Sequence, residues 1–222
     1  MHIGILIPCT SHNRKWKDIN ESYFVQKTLK TFLLTYCREY NYTFYIGYDS
    51  NDNIFSKKTQ HEHLFRYKKV FKNIDFKFIE FLNIEKGYLT KMWNTLFDKA
   101  YNDRCDYFYQ CGDDISFKTK NWVNDSIIKL KKNNDIGITG PINNNYAIIT
   151  QGFVSRKHME IFGFYFPEEF KNWGIDDWYN HVYKPDFFYP LENHFCSNDG
   201  GNPRYDVDGD PNFWNNYQKN VF

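Results

Sequence analysis

The feature that most restricts what this chain can fold into is the alternation, over its first 140 residues, of short apolar runs with longer segments of helical period. Ile3–Pro8 is an apolar run closed by a proline. After a polar loop, Glu21–Cys37 sets Phe24, Leu29, Phe32, Leu33 and Tyr36 near helical spacing, with Asn20 as the expected N-cap. Thr43–Tyr48 and Ile74–Phe81 read as strands, the second alternating apolar and charged residues as a half-buried strand does. Ser56–Val70, Leu89–Tyr101 and Trp122–Lys132 read as helices, and Asp106–Cys111 and Ile136–Thr139 as strands. Strands separated by helices favour parallel pairing, so the expectation is an α/β fold: a Rossmann-like, mostly parallel sheet with helices on both faces. At 222 residues and 41% hydrophobic content the chain suits one core and one domain. Beyond residue 140 the alternation gives way to sequence rich in Pro, Gly, Asn and aromatic residues, expected to pack on the sheet as part of the same domain.

Composition removes several classes of function. Lys and Arg total 28 against 27 Asp and Glu, so no overall field draws the chain to nucleic acid or to an anionic membrane; a charged partner must meet a local site. Cys9, Cys37, Cys105, Cys111 and Cys196 are odd in number and contain no CxxC pair, which indicates neither a disulfide framework nor a zinc site and fits a reducing compartment. No apolar run reaches membrane-spanning length, and the first strand begins too early to leave room for a cleavable signal peptide, so a cytoplasmic protein is expected. The glycine fingerprints GxGxxG and GxxxxGK[ST] are absent, which argues against a dehydrogenase of the Rossmann type and a P-loop NTPase. The aromatic content of 21% suits flat sugar faces and equally suits AT-rich coding.

In sheets of this kind ligands bind beyond the carboxyl ends of the strands. The residues to inspect are therefore Thr10-Ser11-His12-Asn13, Asp49 and Gly112-Asp113-Asp114. Two adjacent carboxylates repel by about 1 kcal/mol in water and by more in a drier site, and a divalent cation reverses that sign. Oxygen ligands suit Mn²⁺ or Mg²⁺. The same two acids could instead cap the following turn. Lys91 and Asn94 stand three apart and share a helix face. Downstream, Trp173-Gly174-Ile175-Asp176-Asp177 places two more acids where a helix would begin.

This order of motifs resembles the GT-A glycosyltransferases: a strand ending in Pro8-Cys9-Thr10-Ser11, a second ending in Asp49, a Lys91-x-x-Asn94 helix, then an aromatic strand and an acidic cluster. With Trp173-Gly174-Ile175-Asp176-Asp177, its style is similar to enzymes encoded by large DNA viruses. The resemblance implies a GT-A domain whose residues 1–140 bind a nucleotide sugar, a UDP-sugar donor above all, and whose residues 141–222 face a glycan or glycoprotein acceptor. The family's Asp-x-Asp cluster aligns Gly112 with its first acid, Asp113 with the middle position and Asp114 with the principal metal ligand. His194 is then a candidate further ligand. Pro8, Thr10, Asp49, Lys91, Asn94 and Asp113 are implied around the nucleotide. Asp177 is implied as the base that deprotonates the acceptor for inverting transfer, and Asp176 as the acid that orients it. The stretch Ser197 to Asp210, rich in Gly, Asn and Asp, suits a flexible lid over the diphosphate and equally suits an ordinary loop. Two other readings stand beside this one: a catalytically inactive carbohydrate- or nucleotide-binding module, and a nucleotidyltransferase using Gly-Asp-Asp.

Overall fold

In the computed structural model, which describes residues 1–145 and 147–200, the apolar runs of the first half become strands β1 (His2–Cys9), β2 (Asn41–Asp49), β3 (Ile74–Phe81) and β4 (Tyr107–Gln110). Four more follow: β5 (Ile115–Phe117), β6 (Ile138–Ile142), β7 (Phe153–Ser155) and β8 (Phe188–Asn198). They form one sheet in the order β3-β2-β1-β4-β7-β6-β8-β5. Strands β1 to β4 pair in parallel, as expected from the helices between them. The rest of the sheet does not follow that expectation. Strand β7 runs antiparallel to both β4 and β6, and β5 antiparallel to β8, while β6 and β8 are parallel. The sheet is thus mixed, in a single α/β domain. The physical reason lies in the connections: the chain between β6 and β7 has no helix among its described residues, and a parallel return needs a crossover of a dozen or more residues.

Helices cover both faces. A π-helical turn, Phe24–Leu29, runs directly into α1 (Lys30–Thr35); α2 (Lys58–Phe65), α3 (Leu89–Asn102), α4 (Trp122–Lys131), α5 (Lys157–Phe162) and α6 (Ile175–Tyr183) follow. The period of two in β1 and β4 divides the core. Ile3, Ile5, Ile7, Tyr107 and Tyr109 pack with Phe24, Phe32 and Trp122 on one side. Leu6 and Phe108 pack with Phe97 of α3 and with Trp178 and Tyr179 of α6 on the other. Asn20 does not cap the first helix. It lies in a short 3₁₀ turn, Ile19–Glu21, whose cap is Asp18: the Asn20 N–H donates to Asp18 Oδ1 at 2.7 Å. No helix among the described residues is long and apolar enough to cross a membrane.

Candidate functional site

Strand polarity decides what meets at one edge of the sheet. β2 lies on one side of β1 and β4 on the other, so the strand order reverses at β1 and opens a crevice beyond the carboxyl ends of β1 and β4. Because β7 is antiparallel to β4, its start, preceded by Thr150 and Gln151, falls at that same edge. The exits of β6 and β8 arrive there too, since β6 is antiparallel to β7 and β8 is parallel to β6. The result is a cleft of about 510 Å³. Pro8, Gln110 and Asp114 line it from the parallel half, Asn143, Gln151 and Asn198 from the mixed half, and Trp173, Asp176 and Asp177 from the start of α6.

Asp114 sits in the turn between β4 and β5 and is 9% exposed; Asp113 beside it is fully enclosed. Backbone crowds the Asp114 carboxylate from two directions. A Cβ placed on Gly112 would lie 2.6 Å from Oδ1, and one on Gly200 would lie 1.9 Å from Oδ2, so a larger residue at either position would force the carboxylate to shift. The turn is braced by the π-helical segment and α1: Thr28 Oγ1 accepts the Ile115 N–H at 3.1 Å and Thr31 Oγ1 accepts the Phe117 N–H at 3.0 Å. The end of β8 is tied down as well. Asp199 N–H donates to the Asp114 carbonyl at 3.2 Å, Lys27 Nζ donates to the Asp199 carbonyl, and the Asp199 side chain accepts from Ser197. A carboxylate cradled in this way, with the Asn198 amide lining the same cleft, fits a hard divalent cation that keeps its other positions for water and phosphate oxygens. Among the described residues no three His, Cys, Asp or Glu side chains form a ready-made metal cluster.

The second pair of acids stands in the first turn of α6. Gly174 is its N-cap in the left-handed region, φ 84°, which turns the chain sharply between the exposed Trp173 and the helix. Asn180 locks the helix to the neighbouring segment: its amide donates to the carbonyls of Ile149 and Asp176 at 2.6 and 2.7 Å and accepts the Ile149 N–H at 2.8 Å. His158 of α5 secures the far end. Its Nε2–H donates to the Tyr165 carbonyl at 3.0 Å, so Nδ1 accepts from the Tyr183 hydroxyl at 2.7 Å, and burial pulls its pKa down to about 4. Asp177 is exposed to the cleft. Asp176 also lines the cleft but is half-buried, and desolvation, reinforced by the Asp177 charge, pushes its pKa up to about 8.

A smaller hollow of about 40 Å³ opens at the ends of β1 and β2, lined by Thr10, Asp49, Asp52 and Lys86. Asp52 organises it. Its carboxylate accepts the Ser11 N–H at 2.6 Å, the Ser11 and Thr10 hydroxyls at 2.8 and 3.2 Å, and the Ile54 and Phe55 N–H groups at 2.9 and 2.8 Å. Sequence reasoning stopped at Asp49; the only signal for Asp52 was a second acid in a turn-rich stretch.

Three expected site residues lie apart from the cleft wall. Asn94 faces the protein: its amide donates to the Phe166 carbonyl at 2.8 Å and accepts the Tyr165 and Phe166 N–H groups at 3.1 and 2.9 Å, which commits three of its four hydrogen-bonding positions to the protein. Lys91, one turn back, lies over the Tyr88 ring and 3.7 Å from Glu168, outside the cleft wall. His194 is not with Asp113 and Asp114. It lies four residues before the end of β8, about 13 Å of extended chain, and bridges Thr119 Oγ1 at 3.1 Å and Asp125 Oδ2 at 2.7 Å. The proposed lid falls mostly on residues 201–210, outside the described residues.

No protein-family model matches the sequence, and no curated protein matches it. Solved structures do. Staphylococcus aureus TarS 1–349 in complex with UDP-GlcNAc superposes with a TM-score of 0.66 at 12% identity, over 100% of this chain and 65% of that one. The same fragment in complex with UDP gives 0.61 at 12% identity, over 89% and 60%. GalNAc-T7 with UDP, GalNAc and Mn²⁺ gives 0.59 at 10% identity, over 88% and 43%. At these identities the likeness is one of fold, and the chain spans between 36% and 65% of the chains it resembles.

Proposed function

We propose that this chain transfers a sugar from a UDP-sugar to an acceptor hydroxyl, with a divalent cation as cofactor. The observation that carries the reading is the convergence of Asp114 and the Asp176–Asp177 pair on one cleft at the strand-order reversal of a glycosyltransferase-like sheet. In this reading the nucleoside lies towards Thr10, Asp49 and the loop that Asp52 holds, and Pro8 borders the donor. Mn²⁺ or Mg²⁺, held by Asp114 with Asp113 behind it, supplies positive charge against the leaving diphosphate. Asp177 takes the proton of the acceptor hydroxyl, whose oxygen bonds to the anomeric carbon as the bond to the diphosphate oxygen breaks, with inversion. Asp176 orients the acceptor through a hydrogen bond. The resemblance to enzymes of large DNA viruses rests on the order of sequence motifs; the solved structures with this fold do not bear on it.

Calorimetry tests the central claim. UDP binding in the presence of Mn²⁺ is expected to weaken strongly when EDTA is added, and equal affinity with and without the metal removes the proposal.

A further inference from the structure

The main cleft has an unusual charge character for a chain with 28 Lys and Arg: among the described residues none of them lines it. Lys86 lines the separate hollow beside Asp49, and Lys27 and Lys118 are turned to Asp199, just past the end of β8. Among the described residues the titratable side chains on the wall are three carboxylic acids, Asp114, Asp176 and Asp177. Most of the remaining polar surface is amide, from Asn143, Asn145, Asn172 and Gln151. An amide presents donors and acceptors together and so matches a hydroxyl, which is both; to a carboxylate or phosphate it offers hydrogen bonds but no opposite charge. At the rim Trp173 is 63% exposed, in contrast to the other tryptophan of the wall, Trp93, at 7%. Leaving a large ring in water forgoes the gain of burying it, which points to a ligand that covers the ring. The buried Trp93 adds an indole N–H with no hydrogen-bond partner among the described residues.

Building on the glycosyltransfer reading above, we propose that the acceptor is a neutral saccharide, with one apolar sugar face against Trp173 and its hydroxyls on the amide wall, and that uronic and phosphorylated sugars are excluded. The exclusion follows from sign. An anionic sugar would meet Asp177 across the cleft with no Lys or Arg among the described residues of the wall to offset it, the cation at Asp114 in the reading above being matched by the diphosphate, and like-charge juxtaposition at an interface costs enough to lower affinity tenfold or more.

The test uses the full chain with MnCl₂ and UDP, and follows the tryptophan indole N–H resonances by NMR. The titrants are methyl glycosides of glucose, galactose and mannose, the matching methyl glucuronide and galacturonide, and glucose 6-phosphate. At least one neutral glycoside is expected to bind tenfold or more tightly than its anionic counterpart. Trp173→Ala, a change at an exposed ring that leaves the core intact, is expected to weaken that binding about tenfold while UDP binds as before. Anionic sugars binding as well as neutral ones overturn the proposal, as does UDP binding with no response to any neutral glycoside. Neutral sugars that bind a protein indifferent to UDP and Mn²⁺ would instead overturn the transferase reading and leave the saccharide site standing.

Discussion

Asp113-Asp114 and Asp176-Asp177 are the same dipeptide in two surroundings, and the contrast shows how little the letters alone decide. At the first pair both carboxylates are enclosed in a turn between two strands, one wholly and one at 9% exposure, with glycine backbone on two sides of Asp114. At the second pair a helix start splits them: Asp177 is exposed to the open cleft, and Asp176 is half-buried in its wall. The α6 dipole favours ionised acids in its first turn, but by about 0.3–1 kcal/mol, less than one pKa unit at about 1.36 kcal/mol per unit. Desolvation is larger, so Asp176 rises to about 8 in spite of the dipole. One pair thus shares an enclosed turn, and the other divides into an acid open to the cleft and a half-buried acid whose pKa is raised.

The sharpest way to break this contrast is Asp177→Asn. A carboxamide of the same size cannot take a proton, and a general base contributes about 10²–10⁴-fold to rate. Transfer at saturating acceptor is expected to fall by that factor, with UDP and Mn²⁺ affinity nearly unchanged. An undiminished rate would move the base elsewhere. The next effect in size belongs to Asp114→Asn, which keeps the shape of the cradled side chain and removes its charge. Metal-assisted UDP binding is expected to weaken about 100-fold, measured by calorimetry, with the circular dichroism of the fold retained. Wild-type affinity in this variant would make Asp114 structural and erase the difference between the pairs.

How much of this was legible in the sequence depended on whether the signal was local. β3 has the boundaries its alternation predicts, Ile74–Phe81, and α3 runs one residue beyond its expected end, because a period of two or 3.6 is set by which face is buried. The two acid pairs were legible because each follows a strand or opens a helix. The amide wall was not: Asn143, Gln151 and Asn198 meet only through the antiparallel turn of β7 and the parallel return of β8, pairings that no local pattern encodes. Asn94 and His194 failed for a different reason. An amide or imidazole satisfies a protein carbonyl or carboxylate as well as it satisfies a ligand, and only packing decides which partner arrives first. Phe166 and Asp125 did.

The smallest effect, and the one that tests the division within the second pair, is that of Asp176→Asn on stability against pH. A carboxyl whose pKa is raised by folding, from 3.8 to about 8, binds more protons in the folded state than in the unfolded one across that interval. Stability from this group is therefore complete below pH 4 and is lost as pH rises to 8. Asparagine carries no charge at either limit and resembles the protonated acid in shape and in its ability to donate a hydrogen bond. The variant should match the wild type near pH 4 and melt higher at pH 8. Asp176 borders an open cleft, so solvent screening reduces the gain to about 2 kcal/mol, or about 5 °C for a chain of this size. Below pH 8 the transfer rate should also stay near that of the wild type, because the wild-type side chain is already protonated there. A melting difference independent of pH would mean that Asp176 is ionised in the folded protein. A rate loss equal to that of Asp177→Asn would exchange the two roles and make the half-buried acid, with its pKa near the working pH, the base.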